Sequence, residues 1–422
     1  MFTNDISKLS LPNGLTVLTE RMEHVRSISM GIWLKTGAGD DAPSHSGLSH
    51  FVEHAVFDGT TSRSAEQISF DSEAEGGFVN AFTGLETTAF YSTAIDTRAK
   101  QSLALLSDLI LNPTFASEAI DRARGVILEE IMASQAEPTY DVQNAFYASL
   151  WNNHPFSLPV AGRPETLASF TSETLRSFAD THFVGKNMVL AAAGNLRHEE
   201  IAGIAAAHLG TALPGSEIPR GATPKALPGV RLIQKPTRQV QIMIGWPAVP
   251  ASNPQYFTCR MLGGLLGAGP GSRLFRALRT QRGLVYDAFA EYRPFSQVGQ
   301  FVVEASTSTE NVKEVVNIIL QECNRVKSTR FSDEEMRRIK AQIVNNQILS
   351  HETSSARVDT LASQYLTLGR SVSPEQIREE IEAVTAEQII GAANAFMRPE
   401  HLVAAFAGDL ESASFSPEKL NF

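Results

Sequence analysis

The chain has 422 residues, of which 43% are apolar and 19% charged, and this length predicts two or three domains at about 100–200 residues each. The 29 glycines and 20 prolines are close to ordinary globular usage, which excludes collagen-like and disordered classes. A formal net charge of −10 without any Lys/Arg run gives no electrostatic reason to bind nucleic acid or an anionic membrane, so neither is expected as a partner.

The amino-terminal segment 1–20, MFTNDISKLSLPNGLTVLTE, carries acidic residues and no apolar h-region, so no signal or transit peptide is predicted. The two cysteines, Cys259 and Cys323, form no C-x-x-C pair, which excludes a disulfide framework or a thiolate zinc cluster and fits a reducing compartment. No run of 18 apolar residues occurs, so no membrane-spanning helix is predicted. We therefore expect a cytoplasmic protein.

Hydrophobic periodicity predicts a mixture of strands and helices in the first half of the chain. In chain order the predicted elements are strands at 15–20 and 27–35, helices at about 45–57 and 64–75, strands at 78–83 and 87–95, and helices near 97–110 and 116–134. Their order lacks the regular βαβ alternation of a doubly wound sheet. This pattern favours an α+β layer with largely antiparallel strands.

The helix predicted at 45–57 contains GLSHFVEHAVF, with His50, Glu53 and His54. On a helix, His50 and His54 stand one turn apart on one face and can bind the same tetrahedral metal ion. This is the inverted form of the H-E-x-x-H zinc motif, in which zinc lowers the pKa of a bound water to about 7 and a carboxylate takes its proton. Glu53 is the candidate base, although a chance match on a solvated helix face would look the same.

Such a metal site needs a third protein ligand. Glu129 and Glu130, in RARGVILEEIMASQ, form an acidic pair after an apolar run. An exposed helix face is the ordinary explanation of such a pair. These residues by themselves therefore leave the third ligand open.

An internal repeat indicates the architecture of the whole chain. Residues 170–196 align without a gap on residues 384–410, and each copy reads as a threonine-capped helix followed by an apolar strand that ends in glycine. Strands 27–33 and 239–246 are also alike, since both alternate and end in tryptophan. Two similar α/β halves are predicted.

Between the repeats lies segment 213–229, LPGSEIPRGATPKALPG, with four prolines and little apolar content. This composition is typical of an exposed linker. We place the domain boundary there. Residues 1–212 are then a first domain with the histidine pair, and residues 230–422 a second, homologous domain.

Three segments, HFVEHAVFDGTTSRSAEQIS, EGGFVNAFTGLETTAFYSTA and GVILEEI, occur in this order and resemble the pitrilysin/insulinase family of zinc peptidases, in its shorter branch similar to mitochondrial processing peptidase. The resemblance covers nearly the whole chain and suggests a bacterial homologue. It implies an α+β fold of two similar halves, each a mostly antiparallel sheet packed against helices, which form a clam-like chamber. The implied activity is hydrolysis of extended or unfolded peptides.

In this family the third metal ligand is a glutamate about 76 residues beyond the last histidine of the motif, and this spacing falls on Glu130. The resemblance therefore implies that His50, His54 and Glu130 bind one Zn²⁺ per chain, with Glu53 as the general base. Many family members carry a further glutamate seven residues before the third ligand as a support to the site. Ala123 stands at that position here.

The resemblance also assigns a substrate-binding strand. Asn80, Ala81, Phe82 and Thr83 resemble the edge strand of the family, along which a peptide adds as a further strand through backbone hydrogen bonds. An ordinary core strand would show the same alternation. The strand therefore owes its assignment to the family resemblance.

In the second half, SRLFRALRTQRGLVYDAF resembles the family's substrate-binding pair, which falls on Arg279 and Tyr286. The arginine would anchor a carboxylate or carbonyl, and the catalytic role of Tyr286 would be to stabilise the tetrahedral oxyanion through its phenol. The glycine-rich run Gly263–Gly271 lacks the G-K-[ST] ending of a phosphate loop. Its position resembles a glycine-rich, substrate-facing loop of the processing peptidase, and a plain turn before a helix is the alternative.

Because one chain carries both the metal half and the Arg279/Tyr286 half, a homodimer is expected, with a heterodimer as the alternative. Two other functions stay open within the same fold. One is a non-catalytic structural or core subunit, against which the intact histidine and glutamate set argues. The other is the catalytic subunit of a hetero-oligomeric processing peptidase, which is disfavoured because such partners often divide the two features between chains.

Overall fold

The computed structural model describes residues 6–74, 77–329 and 331–411, so the last residue of the helix predicted at 64–75 lies outside the described residues. This part of the chain contains eleven strands, which lie close to the predicted positions in the first half. They are β1 (Ile6–Ser10), β2 (Thr16–Arg21), β3 (Ser27–Leu34), β4 (Phe78–Thr83), β5 (Thr88–Ile95), β6 (Met188–Gly194), β7 (Gly229–Gln234), β8 (Gln239–Ala248), β9 (Val285–Pro294), β10 (Gly299–Ser308) and β11 (Val403–Gly408).

The α-helices of the described residues number fourteen. They are α1 (Leu48–Ala55), α2 (Ala65–Ala74), α3 (Ala99–Leu111), α4 (Ser117–Ala136), α5 (Tyr140–Leu150), α6 (Pro164–Leu167), α7 (Ser172–His182), α8 (His198–Leu209), α9 (Tyr256–Gly267), α10 (Val312–Ser328), α11 (Asp333–Ser350), α12 (Ser354–Leu368), α13 (Pro374–Ala383) and α14 (Ala386–Phe396). A π-helical turn covers Phe275–Thr280. Not one of the helices in these ranges is both long and apolar enough to cross a bilayer.

The strands form two sheets of the same topology. The first has the order β1-β2-β6-β3-β5-β4 and the second β7-β11-β8-β10-β9. In each sheet one pair is parallel, β2 with β6 and β7 with β11, and the other pairs are antiparallel. The second sheet therefore repeats the first without its outer strand β1. The predicted α+β fold of two similar halves is confirmed.

The sequence repeat corresponds to α7 followed by β6 and to α14 followed by β11. Thr171 Oγ1 accepts a hydrogen bond from the N–H of Thr174 at 3.3 Å, and Thr385 Oγ1 accepts one from the N–H of Gln388 at 3.2 Å. In the second copy Gln388 Oε1 also accepts from the N–H of Thr385 at 2.9 Å. The complete capping box is thus present in one copy, because only that copy has a glutamine three residues after the cap.

The described structure divides into two compact units, and each unit consists of three separate segments of the chain. The first consists of Met1–Ala133, Leu158–Ala222 and Leu349–Ser373, and the second of Ser134–Ser157, Thr223–Ile348 and Pro374–Phe422. The chain passes from the first unit to the second between residues 222 and 223, within the proline-rich segment 213–229. Each half of the chain also contributes one helix to the unit built mainly from the other half, α5 to the second unit and α12 to the first.

In the first unit, α12 packs on β2, β3 and β6. Val358, Leu361 and Ala362 of this helix are buried against Leu18 and Trp33 of the sheet. Full burial of a valine or leucine side chain stabilises the folded state by about 1.5–3 kcal/mol. The helix is therefore a part of the hydrophobic core of the first unit, although its first residue, Ser354, is 160 positions after Gly194, the last residue of β6.

The glycine-rich run is only in part a loop. Gly263–Gly267 are the last residues of α9, which packs against β9. A Cβ atom on Gly267 would lie 1.8 Å from the backbone nitrogen of Ala290. The glycines at this end of α9 let the helix approach the strand closely, and this tertiary contact outweighs the poor helix propensity of glycine. The expectation of a loop over the whole run is wrong for these five residues.

Candidate metal centre

Helix α1 presents two different faces. Phe51, Val52 and Ala55 are at most 1% exposed, and the ring of Phe51 meets the ring of Phe170 edge to face with centroids 5.4 Å apart. These contacts anchor the helix to the core of the first unit. They leave His50 and His54 on the face that is partly accessible to solvent.

The start of α1 is held by a side chain from outside the helix. Asp41 accepts hydrogen bonds from the N–H of Gly47 at 3.0 Å, from the N–H of Ser49 at 3.2 Å and from Ser49 Oγ at 2.6 Å. A carboxylate at this end satisfies N–H groups that have no partner inside the helix. Burial raises the pKa of Asp41 to about 7, and the hydrogen bonds from Ser49 and Gly47 act in the opposite direction. These bonds fix the first turn, which carries His50.

Three side chains converge beside this helix. His50 Nε2 lies 3.7 Å and His54 Nε2 lies 3.5 Å from Oε2 of Glu130, which is on α4. The ligand-type atoms of the three residues all lie within 4.8 Å of one another, and no second group of three His, Cys, Asp or Glu residues in the described ranges has this property. The predicted histidine pair and Glu130 are therefore brought together.

The dimensions of this group fit a metal ion. Zinc binds histidine nitrogen and carboxylate oxygen at about 2.0–2.2 Å, so two of its ligands in a tetrahedron are about 3.4 Å apart. The two nitrogen to oxygen distances are within a few tenths of an ångström of this value. Two nitrogens and one oxygen also leave a fourth position for water or substrate, which is the composition of catalytic zinc sites.

The protonation of His50 favours metal binding. Burial, followed by repulsion from His54, lowers the pKa of His50 to about 4, so its imidazole is neutral at pH 7 and offers a lone pair. Its Nδ1 atom is buried and has no hydrogen-bond partner among the described residues. Nε2 is thus the nitrogen that faces His54 and Glu130.

Glu53 lies on the same helix and is 8% exposed. Its Oε2 accepts a hydrogen bond from Thr83 Oγ1 at 2.6 Å. Burial raises the pKa of Glu53 to about 7, the hydrogen bond from Thr83 lowers it, and the negative charge of Glu130 raises it. A carboxyl group with a pKa near neutrality can both accept and release a proton at physiological pH.

Strand β4 is the edge of the first sheet, paired with β5 on one side. Phe82 is exposed to 39%, Ala81 packs against the core, and Thr83 reaches Glu53. The side-chain oxygen of Asn80 accepts a hydrogen bond from the N–H of Ala81 at 2.8 Å. The other edge of β4 is paired with no strand of the described residues, so its backbone groups are available to an added strand.

Two further residues of α4, Glu129 and Ala123, lie outside this group of three. Glu129 is exposed and is not a member of the three-residue group. Ala123 is 4% exposed and belongs to the hydrophobic core with Ile120 and Ile127. The position at which many family members carry a supporting glutamate is therefore apolar in this chain.

Arg279 and Tyr286 both belong to the second unit. The guanidinium carbon of Arg279 lies 4.6 Å from the centre of the Tyr286 ring. Tyr286 itself is 80% exposed. The predicted pair is brought together as a stacked cation and ring.

Three features of these sites escape sequence reasoning. Asp41 caps α1 from outside the helix, Thr83 is bonded to Glu53, and Phe275 stacks on Arg279 at 4.9 Å. Only the third had a usable signal, because Phe275 and Arg279 are four residues apart in a helical segment and such residues face each other.

Two family models match successive parts of the chain. The model described as Insulinase (Peptidase family M16) matches residues 16–163, the part that contains His50, His54 and Glu130. The model described as Peptidase M16 inactive domain matches residues 169–343, the part that contains Arg279 and Tyr286.

Curated relatives are similar over almost their full length. A protein of Rickettsia felis named "uncharacterized zinc protease" is 33% identical over 391 residues, which are 92% of this chain and 94% of the relative. A protein of the same name from Rickettsia bellii is 30% identical over 99% of this chain and 98% of its own. One from Streptomyces coelicolor is 30% identical over 91% of this chain and 85% of its own.

Solved structures show the same fold at lower sequence identity. A crystal structure from Pseudomonas fluorescens, described as a peptidase M16 inactive domain, superposes with a TM-score of 0.89 at 18% identity and covers 96% of this chain and 98% of its own. A protease from Helicobacter pylori gives a TM-score of 0.88 at 18% identity, over 96% of this chain and 100% of its own.

Proposed function

Since the chain belongs to the insulinase family of peptidases, peptidase family M16, we propose that it is a zinc-dependent peptidase of the inverted H-x-x-E-H type. Its proposed substrates are extended or unfolded peptides. The observation that carries this proposal is the convergence of His50, His54 and Glu130 within 4.8 Å beside Glu53. The alternative, a non-catalytic core subunit, does not require a metal-binding group of this kind.

Each residue of the group has a separate task in this proposal. His50, His54 and Glu130 would hold one zinc ion. When bound, zinc polarises a substrate carbonyl and lowers the pKa of a bound water to about 7. Glu53 accepts the proton of the attacking water and delivers it to the leaving amine. Thr83 keeps the carboxylate of Glu53 in one orientation through its 2.6 Å hydrogen bond.

The free edge of β4 supports an extended substrate. A peptide that adds as a further strand is held by backbone hydrogen bonds, and these demand little of its sequence. The peptide must have no hydrogen-bonded structure of its own at that point. We therefore propose that unfolded segments are cleaved and folded domains are not.

Arg279 and Tyr286 are proposed to contact the substrate from the second unit. Arg279 would donate hydrogen bonds to a carboxylate or carbonyl oxygen, and Tyr286 would donate from its phenol to the oxyanion of the tetrahedral species. The exposed phenol and the absence of an ion pair at Arg279 among the described residues support this role.

The homodimer predicted from the sequence is tested by light scattering of the purified protein.

The deciding experiment measures metal and activity in the same sample. The purified chain is analysed for zinc, and its cleavage of a quenched peptide library is followed before chelation, after chelation and after zinc is added back. We expect about one zinc per chain, loss of cleavage with the chelator and recovery with zinc. A reduced, unfolded protein should be cleaved much faster than its disulfide-bonded folded form.

A Glu53→Gln variant is the matched control, because it removes the proton acceptor and keeps all three metal ligands. It should retain zinc and lose hydrolysis. Zinc binding without cleavage by the wild type would refute the peptidase proposal. Absence of both would favour the non-catalytic subunit.

A further inference from the structure

The guanidinium of Arg279 lies close to two aromatic rings. Its central carbon is 4.9 Å from the ring centre of Phe275 and 4.6 Å from the ring centre of Tyr286. We propose that Phe275 is a positioning residue, which fixes the plane of the Arg279 guanidinium for an oxygen acceptor of the bound peptide. The inference rests on the proposed function, in which Arg279 contacts the substrate.

The charge of Arg279 is not neutralised by a nearby carboxylate in the described part of the chain. Its neighbours differ in this respect. Arg273 makes two hydrogen bonds to Glu335, at 2.9 and 3.2 Å, and Arg282 lies 3.9 Å from a carboxylate oxygen of Glu314. Ion pairs of this kind would hold an arginine side chain in place. At Arg279 the two rings do so instead, and the positive charge stays available.

The two rings also determine which atoms of Arg279 are available. Aromatic rings attract the flat faces of a guanidinium, whereas its N–H donors point outward in its own plane. Rings that contact the faces of the guanidinium therefore leave its edge free. Carboxylates and carbonyl oxygens accept hydrogen bonds at that edge, and a carboxylate can take two in parallel.

The backbone around Phe275 is unusual. Residues Phe275–Thr280 form a π-helical turn, and the N–H of Gln281 donates to the carbonyl of Arg276 at 2.9 Å, five residues earlier. Such turns are rare and are frequent at functional sites. This wide turn carries Phe275 and Arg279 on the same segment, so the proposed arrangement is built into the local fold of the second unit.

Phe275→Leu keeps an apolar side chain of similar size and removes the ring face. We expect the KM for a quenched peptide to rise about two- to fivefold, which is the strength of one exposed cation–π contact, with kcat within twofold of the wild type. Phe275→Tyr retains the ring and should restore the KM. In an Arg279→Ala background, Phe275→Leu should add nothing.

A matched control uses another stacked arginine of this unit. Arg273 lies 4.5 Å from the ring centre of Phe331, but its charge is already paired with Glu335. Phe331→Leu should therefore leave the KM unchanged. Failure of Phe275→Tyr to restore the KM, or an equal effect of Phe275→Leu with and without Arg279, would overturn the inference.

A readout without catalysis separates this inference from the proposed function. The Nε–H resonance of Arg279, assigned by its loss in Arg279→Ala, should be shifted upfield by the rings and should move downfield in Phe275→Leu. An unchanged resonance would contradict the stacking whether or not the protein cleaves peptides. In the inactive Glu53→Gln background, the added change Phe275→Leu should weaken binding of a labelled peptide two- to fivefold. Peptides with a free or an amidated carboxyl terminus then distinguish a carboxylate from a carbonyl acceptor.

Discussion

Thr83 Oγ1 donates a 2.6 Å hydrogen bond to Glu53 Oε2. The two residues belong to different elements, since Thr83 ends the edge strand β4 and Glu53 lies on helix α1. The proposed base is therefore tied to the strand that is proposed to receive the substrate. A short hydrogen bond to a carboxylate is among the stronger ones and restricts its orientation.

Replacement of Thr83 by valine should reduce the rate of hydrolysis. Valine keeps the shape and the β-branch but has no hydroxyl, so Glu53 loses the group that orients it. A hydrogen bond to a charged group is worth about 1.5–3 kcal/mol, and kcat should fall about tenfold or more. Steady-state kinetics with a quenched peptide measure the loss, and the zinc content should not change.

Thr83→Ser is the matched control, because it retains the hydroxyl. Its kcat should stay close to that of the wild type. Full activity of Thr83→Val would show that Glu53 needs no support from β4.

Glu130→Gln should weaken zinc binding far more than Glu129→Gln. Adjacent helical residues are rotated by about 100°, and only Glu130 lies with His50 and His54. A competition titration of each purified variant against a chelator of known affinity measures the effect. Similar losses of zinc affinity in both variants, or a loss with Glu129→Gln alone, would show that Glu130 is not the third ligand.

The sequence predicts those parts of the site that depend on local spacing. His50 and His54 share a helix face because they are four residues apart, and the positions of the strands along the first half of the chain follow from the period of apolar residues. Glu130 was assigned from the family resemblance, because the sequence alone left Glu129 and Glu130 equivalent.

The contacts that escaped prediction join residues from different elements. Asp41 is eight residues from Ser49, and Thr83 is 30 residues from Glu53. Neither contact follows a fixed spacing, since each depends on how the elements pack. The exchange of α5 and α12 between the units has the same cause: periodicity identifies the apolar face of a helix but not the sheet that covers it.

The ion pair between Glu20 of β2 and Arg357 of α12 should be important for the stability of the first unit. Its atoms are 2.8 Å apart and the side chains are 7% and 8% exposed. Removal of one partner of a buried pair costs about 3–5 kcal/mol because the other charge stays buried. Glu20→Gln should therefore lower the free energy of unfolding by about 3 kcal/mol, measured by urea denaturation.

An exposed pair of the same unit provides the comparison. Arg197 and Glu200 are 3.4 Å apart and 74% and 54% exposed, and such surface pairs contribute little. Glu200→Gln should have a far smaller effect than Glu20→Gln. Equal effects would mean that burial of the Glu20 pair has no energetic consequence.

His351 should make the folded protein sensitive to mild acid. It is 3% exposed, and burial, followed by repulsion from Arg357, lowers its pKa to about 4. In the unfolded chain a histidine has a pKa near 6.5. The neutral form is thus favoured by folding, and its contribution is fully present above pH 6.5. As the pH falls from 6.5 towards 4, the unfolded state takes up a proton that the folded state does not, and stability falls by up to about 1.4 kcal/mol per pH unit.

The test compares the wild type with His351→Gln by urea denaturation between pH 7 and pH 4.5, with a chelator present in both series. Glutamine does not titrate and can still form a hydrogen bond with Thr360, whose Oγ1 lies 3.2 Å from His351 Nε2. The shifted groups His50 and Asp41 are present in both proteins, so their contributions cancel in the difference. The stability of the wild type relative to the variant should decrease steadily as the pH is lowered through this window. A constant difference would show that His351 has the same proton affinity in the folded and unfolded states.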